Sequence, residues 1–300
     1  MVHDHIHDNQ KKGHDKLTLA IAVNVMLTLA QVVGGLLSGS LSLIADALHN
    51  LSDAASLGIA LFARIIGNKP ADKVKTFGYK RAEVIGALIN LTTLILMGIY
   101  LIYQALWRFV VPNEISGWLV VMVAIFALIV DVVTAVLTYT LSKGSLNMKA
   151  AFLHNVSDAM ASVGVIVAGS LILLYQWYWV DALMTLLIAG YVLWQGFAML
   201  PKVIHLLMEG MPENLSLDDI VGAMEATPNV LSVHHVHVWQ LDEEKNALEA
   251  HIVIDTTNLN ELENIKQTLK LLLAQRFKIS HSTLEIETPL SLCGGDTYKH

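Results

Sequence analysis

The chain has 300 residues, 54% of them hydrophobic and only 15% charged, with a mean hydropathy of +0.55. That balance excludes an ordinary soluble globular protein and points to an α-helical polytopic membrane protein. With a net charge of −7 no nucleic-acid partner is expected, and a single cysteine excludes disulfides within one chain.

Residues 1–16 form a His-rich tail, His3-Asp4-His5-Ile6-His7-Asp8 followed by His14-Asp15, which reads either as a loose metal-attracting tract or as a solvated segment. Within 17–208, six apolar stretches run roughly from 17 to 37, 41 to 66, 82 to 108, 116 to 140, 148 to 174 and 180 to 207. Each is long enough to cross a hydrocarbon core about 30 Å thick. The polar N-terminus and the long first stretch argue against a cleaved signal peptide, so that stretch is expected to be its own insertion signal. Gly34, Gly35, Ser38, Gly39 and Ser40 mark a tight turn that makes the first two stretches a hairpin. Basic residues gather before the first stretch (Lys11, Lys12, Lys16), around the second connection (Arg64, Lys69, Lys73, Lys75, Lys80, Arg81) and at the fourth (Lys143, Lys149). The opposite side carries only Arg108, which puts both termini in the cytoplasm.

The second stretch contains His49-Asn50-Leu51-Ser52-Asp53-Ala54, and the fifth repeats the pattern as His154-Asn155-Val156-Ser157-Asp158-Ala159. Residues four apart share a helix face, so His49 with Asp53 and His154 with Asp158 each form half of a claw. Two such helices face to face make a tetrahedral set of two imidazoles and two carboxylates, suited to Zn²⁺ and also to Co²⁺ or Cd²⁺. In a soluble helix such a pair reads as a helix-stabilising contact. At membrane depth each ionisable group costs at least ~2.5 kcal/mol, and the duplication makes a metal site the better reading.

Other polar residues lie in the same stretches. Asp46 shares the ligand face and reads as a metal or proton way-station or as a solvated carboxylate near the helix end. Asn24, Gln31, Asn50, Asn90, Asn155 and Gln195 read as helix–helix hydrogen bonders. Asp131, alone in the fourth stretch, needs a partner or a proton. Gly58, Gly86, Gly98, Gly164 and Gly169 permit close helix packing.

After Pro212 the composition turns polar, and residues 209–290 are expected to form a cytoplasmic α+β domain, followed by a tail at 291–300 holding Cys293, Gly294 and Gly295. Ser216-Leu217-Asp218-Asp219 resembles a helix N-terminus, 230–241 and 247–255 alternate like strands, 259–277 is an amphipathic helix, and 282–287 a last strand. The order is α-β-β-α-β. Strand alternation sends His235 and His237 to one face and His234 to the other. A domain this small gains stability from dimerisation or bound metal.

Taken together, the doubled His-x-x-x-Asp motif, Ser38-Gly39-Ser40-Leu41 with Ala45-Asp46-Ala47, the run Thr76-Phe77-Gly78-Tyr79-Lys80-Arg81-Ala82-Glu83 and Val236-His237-Val238-Trp239 resemble the cation diffusion facilitator family over nearly the whole chain. The resemblance implies a homodimeric six-helix transporter with a metallochaperone-like cytoplasmic domain, exporting divalent metal in exchange for protons by alternating access. His49 at the first ligand position is similar to the zinc branch. His234, His251, His281 and Glu287 match positions that in some members bind regulatory zinc between dimer lobes; spacing alone does not group them, and His234, His235 and His251 read equally as exposed polar strand residues. Some members bind a further metal in the loop after the second helix, but here those positions hold Asp72, Lys75 and Tyr79. No metal is expected there, since lysine is a poor zinc ligand at neutral pH.

Protons and metal compete for the same four side chains, which is the simplest form of Zn²⁺/H⁺ antiport. Two alternatives stand beside it: a membrane-embedded zinc sensor, and an intramembrane zinc hydrolase. The second lacks the open coordination position and the neighbouring Glu that a catalytic zinc needs. The short connection from Ser142 to Asn147 favours a bacterial cytoplasmic (inner) membrane.

Overall fold

The computed structural model describes residues 23, 25–67, 69–142, 146–241, 245–256 and 258–289. The His-rich tract, Asn24 and Cys293 lie outside them.

The chain folds as two compact units, one of residues up to Phe62 with Gly86–Leu200, the other of Ala63–Ile85 with the chain from Pro201 onward. The first is a helical bundle: α1 (Val25–Ser38), α2 (Leu41–Gly67, which runs on into the second unit), α3 (Ala82–Val110), α4 (Gly117–Ser142), α5 (Leu146–Tyr175) and α6 (Trp179–Leu207). Among the described residues, four spans are long and apolar enough to cross a membrane: Ala82–Val110, Gly117–Val136, Phe152–Tyr175 and Trp179–Leu207. α1 is apolar but shorter over its described part. α2 has 27 residues, and its apolar character is interrupted by Asp46, His49, Asn50, Ser52 and Asp53.

α1 and α2 are joined by Gly39, whose φ of +75° suits a residue without a Cβ. Helices α4 and α5 pack closely where Gly117 meets the backbone of Gly169 and Leu173; a Cβ on Gly117 would lie 2.8 Å from the Gly169 carbonyl oxygen. Gly86, Gly98, Gly164 and Gly169 likewise sit against side chains of neighbouring helices, whereas Gly58 has open space. The bundle core runs through Leu43, Ala45, Leu101, Val120, Ala124, Val165, Ile172 and Ala189.

In the second unit, α7 (Leu217–Glu225) begins at Ser216, whose side chain accepts from the Asp219 N–H. Strands β1 (Val230–Gln240), β2 (Asn246–Ile254) and β3 (Ile279–Glu287) form a sheet in that order, antiparallel then parallel, with α8 (Leu259–Phe277) as the crossover. β3 begins at Ile279 rather than Ser282, because Lys278 in the left-handed conformation ends α8 and turns the chain straight into the sheet. One sheet face packs Val233, Val238, Leu248, Ala250, Ile252 and Ile254 against α7 and α8.

In the loop of the second unit, Asp72 accepts hydrogen bonds from the Val74 and Lys75 N–H groups, both at 2.7 Å, and from the Tyr79 hydroxyl at 2.6 Å. The Tyr79 bond comes first among the causes that hold the Asp72 carboxyl below its ordinary range. The Asp72 side chain is thus engaged in shaping the loop.

Candidate metal centre

The helical period puts His49 and Asp53 on one face of α2 and His154 and Asp158 on one face of α5, and the structure sets the two faces opposite each other. Their four ligand atoms lie within 4.8 Å of one another. The short contacts cross between helices: His49 Nε2 to Asp158 Oδ1 at 3.1 Å and His154 Nε2 to Asp53 Oδ2 at 3.0 Å. Contacts along each helix are longer, 3.8 Å for His49–Asp53 and 3.5 Å for His154–Asp158. Pairs that merely stabilised their own helices would show the opposite order. Around a tetrahedral ion with bonds near 2.0–2.1 Å, ligand atoms are separated by about 3.3 Å, and these contacts bracket that value.

The site is two-sided. The His49 and Asp158 side chains are only 7% and 10% exposed, those of His154 and Asp53 are 38% and 32% exposed. The His49 ring is flanked edge-on by His154 at 5.6 Å and by Tyr191 of α6 at 6.3 Å between centroids, which fixes its orientation.

Beside the ligands lie further polar contacts, buried at Gln31, Asp46, Asn50, Asp131 and Ser162. Gln31 Nε2 donates to Asp46 Oδ2 at 2.6 Å and Asn50 Nδ2 to Gln31 Oε1 at 2.9 Å, tying α1 to α2. Asp46 is therefore buried and hydrogen-bonded, not solvated. Asn90 of α3 bonds Ser52 and Ser56 of α2. Gln195, by contrast, bonds Tyr191 within its own helix. Ser162 Oγ donates to Asp131 Oδ2 across the α4–α5 contact at 2.8 Å.

At the start of α2 a second buried network joins three helices, and sequence reading did not find it. Asp181, in the first turn of α6 and 0% exposed, accepts from the Ser40 and Ser42 hydroxyls and the Leu41 and Ser42 N–H groups at 2.5–3.3 Å. Arg108 of α3 adds an ion pair to Asp181 at 3.4 Å and donates to the Gly39 carbonyl. One carboxylate thus caps α2, which has no acidic residue of its own in its first turn.

In the cytoplasmic domain, His234, His251 and Glu287 bring their ligand atoms within 4.8 Å of one another. His251 Nδ1 lies 2.8 Å from Glu287 Oε1, and His234 Nε2 3.5 Å from Glu287 Oε2. His281 stands apart from this group, exposed and edge-on to Phe77 at 5.5 Å. Strict alternation fails in β1. A bulge between His234 and His237, with His235 at φ +51°, lets Val233 and Val238 both face the core. His234 consequently faces His251, and His235 lies 4.8 Å from the His251 ring and 5.0 Å from that of His237, rather than on the face opposite His234. Glu287→Gln removes the charge between two imidazoles. In a protein already carrying Asp158→Ala, zinc titration is expected to show the affinity of the His234–His251–Glu287 group lowered about tenfold or more.

Comparison with known proteins places these sites in context. The model of the cation efflux transmembrane domain matches residues 17–208, and that of the cation efflux protein cytoplasmic domain matches 212–289. The "Cadmium, cobalt and zinc/H(+)-K(+) antiporter" of Bacillus subtilis (strain 168) is 37% identical over 286 residues, covering 93% of this chain and 91% of its own. The "Metal cation efflux system protein CzcD" of Cupriavidus metallidurans is 37% identical over 283 residues, 94% of this chain and 89% of its own. The "Zinc transporter ZitB" of Escherichia coli (strain K12) is 30% identical over 293 residues, 96% and 93%. Among solved structures, the metal-bound C-terminal domain of the CzcD transporter from Cupriavidus metallidurans is 37% identical, with a TM-score of 0.23, covering 24% of this chain and 99% of that one.

Proposed function

The chain belongs to the cation efflux family of transporters, not enzymes, and from that premise we propose that it exports Zn²⁺ from the cytoplasm in exchange for protons, with His49, Asp53, His154 and Asp158 holding the transported ion. It is a multi-pass membrane protein that moves divalent metal cations by antiport. The observation that carries the site is the cross-helix pairing of two imidazoles with two carboxylates at tetrahedral spacing. Names of the relatives include cadmium and cobalt beside zinc, and the same donor set accommodates all three.

Further parts of the reading rest on the sequence arguments. They are six spans within 17–208, both termini in the cytoplasm of a bacterial inner membrane, a homodimer, and a domain at 209–290 in which His234, His251 and Glu287 bind regulatory zinc. His281 stays a weaker candidate there, since its ring packs on Phe77.

Charge sets the energetics of the cycle. Metal binding requires neutral imidazoles and ionised carboxylates, so loading releases protons and proton entry expels metal. Carrying two charges outward against about 100 mV costs ~4.6 kcal/mol, and each proton moving inward returns ~2.3. One proton leaves the exchange working against the voltage; two make it electrically neutral.

The test is flux in liposomes carrying a zinc dye and a pH dye, comparing wild type with Asp158→Ala. Zinc flux coupled to opposite proton flux, lost in the mutant, supports the reading. The three-ligand group in the cytoplasmic domain favours one rival, a zinc sensor. Zinc binding without flux in intact wild-type protein would decide for that rival.

A further inference from the structure

Asp131 is a buried carboxylate that the four-ligand chemistry leaves unused. It lies in the apolar window Gly117–Val136 of α4 and is 6% exposed. Its hydrogen-bond donor is a neutral hydroxyl, Ser162 Oγ at 2.8 Å, and Ser162 stands one helical turn beyond Asp158 on α5. The titratable side chains acting on Asp131 are Asp158 and His154 from α5 and His49 and Asp46 from α2. Three of these are transport ligands, so the charge state of the metal site is felt at Asp131. At membrane depth a lone ionised carboxylate is costly unless positive charge stands nearby.

We propose that Asp131 is a proton-carrying residue of the transport cycle, releasing its carboxyl proton when metal loads the neighbouring site and regaining one when metal leaves. A site that returns with one proton on its imidazoles is one positive charge short of the loaded site. The Asp131 proton supplies the missing charge. The exchange balances as one Zn²⁺ bound for one imidazolium proton and one Asp131 carboxyl proton, both released to the water on the side to which the site is open. Ser162, one helical turn from Asp158, holds the Asp131 carboxyl by its hydroxyl at 2.8 Å.

The inference rests on the antiport reading above, and its test separates the two. In liposomes carrying zinc and pH dyes, Asp131→Asn is expected to move zinc with one proton fewer per ion than wild type and with a shallower pH dependence, and Asp131→Glu to restore both. An unchanged proton-to-zinc ratio in Asp131→Asn overturns this inference alone. Wild-type zinc flux with no proton flux overturns the antiport reading and this inference with it. Should Asp131→Asn not transport, calorimetric zinc titration in buffers of different ionisation heat counts the protons released on binding by the purified full-length protein. Fewer protons than wild type supports the role, and an equal number removes it.

Discussion

Zinc flux through His49→Ala is expected to fall to the level of protein-free liposomes, and zinc affinity at the transport site by more than about 100-fold, since a lost ligand costs more than the outer-shell losses of 10–100-fold. His49 is the most enclosed of the four proposed ligands and is contacted by Asp158, His154 and Tyr191 together, so its removal leaves three donors around a gap. Asp or His at this position both provide a ligand atom. His49→Asp is therefore expected to retain flux with an altered preference among Zn²⁺, Cd²⁺ and Co²⁺. Flux assays on both variants, with circular dichroism to verify helix content, check the expectation. Wild-type transport by His49→Ala would overturn the site.

The largest effect on the fold is expected from Asp181→Ala. The substitution removes the acceptor shared by the Ser40 and Ser42 hydroxyls and two N–H groups of α2, and the anionic partner of the Arg108 guanidinium, in a buried place. Breaking one partner of a buried ion pair costs about 3–5 kcal/mol, which thermal unfolding in detergent reads as a large fall in midpoint. Asp181→Asn keeps an acceptor oxygen and is expected to recover part of the loss. Indistinguishable midpoints for wild type and Asp181→Ala would show that water satisfies these donors.

Why one of these residues was legible in the sequence and the other was not has a physical answer. The His-x-x-x-Asp motif announces itself because helical period is local and because the pattern occurs twice. Which His pairs with which Asp is set by the offset between α2 and α5, and no local pattern encodes that offset. Asp181 reads as an ordinary first-turn acid of α6; its work is done on residues about 140 positions earlier. In β1 the alternation predicts opposite faces for His234 and His237, but an extra residue at the bulge resets the count after His235. Gln195 fails the helix-to-helix expectation because Tyr191, one turn away, offers a nearer partner.

The α-β-β-α-β order was readable because turn residues and caps are local, whereas the start of β3 depended on the left-handed Lys278. Hydropathy signals α2 less clearly than its length does, since Asp46, His49, Asn50, Ser52 and Asp53 dilute its apolar character.

The unequal burial of the two cross-helix pairs bears on how an ion sheds its hydration shell. If the four side chains hold the transported ion as proposed, an arriving cation is expected to meet the more exposed pair, His154 and Asp53, first and to exchange its remaining waters as it reaches His49 and Asp158. Dehydration is thereby divided into two smaller steps for an ion that trades water readily for nitrogen. Mg²⁺ holds its waters tightly and has little affinity for imidazole, so it is expected to stall at the first step. On that reading, discrimination against Mg²⁺ is expected to begin at the more exposed pair.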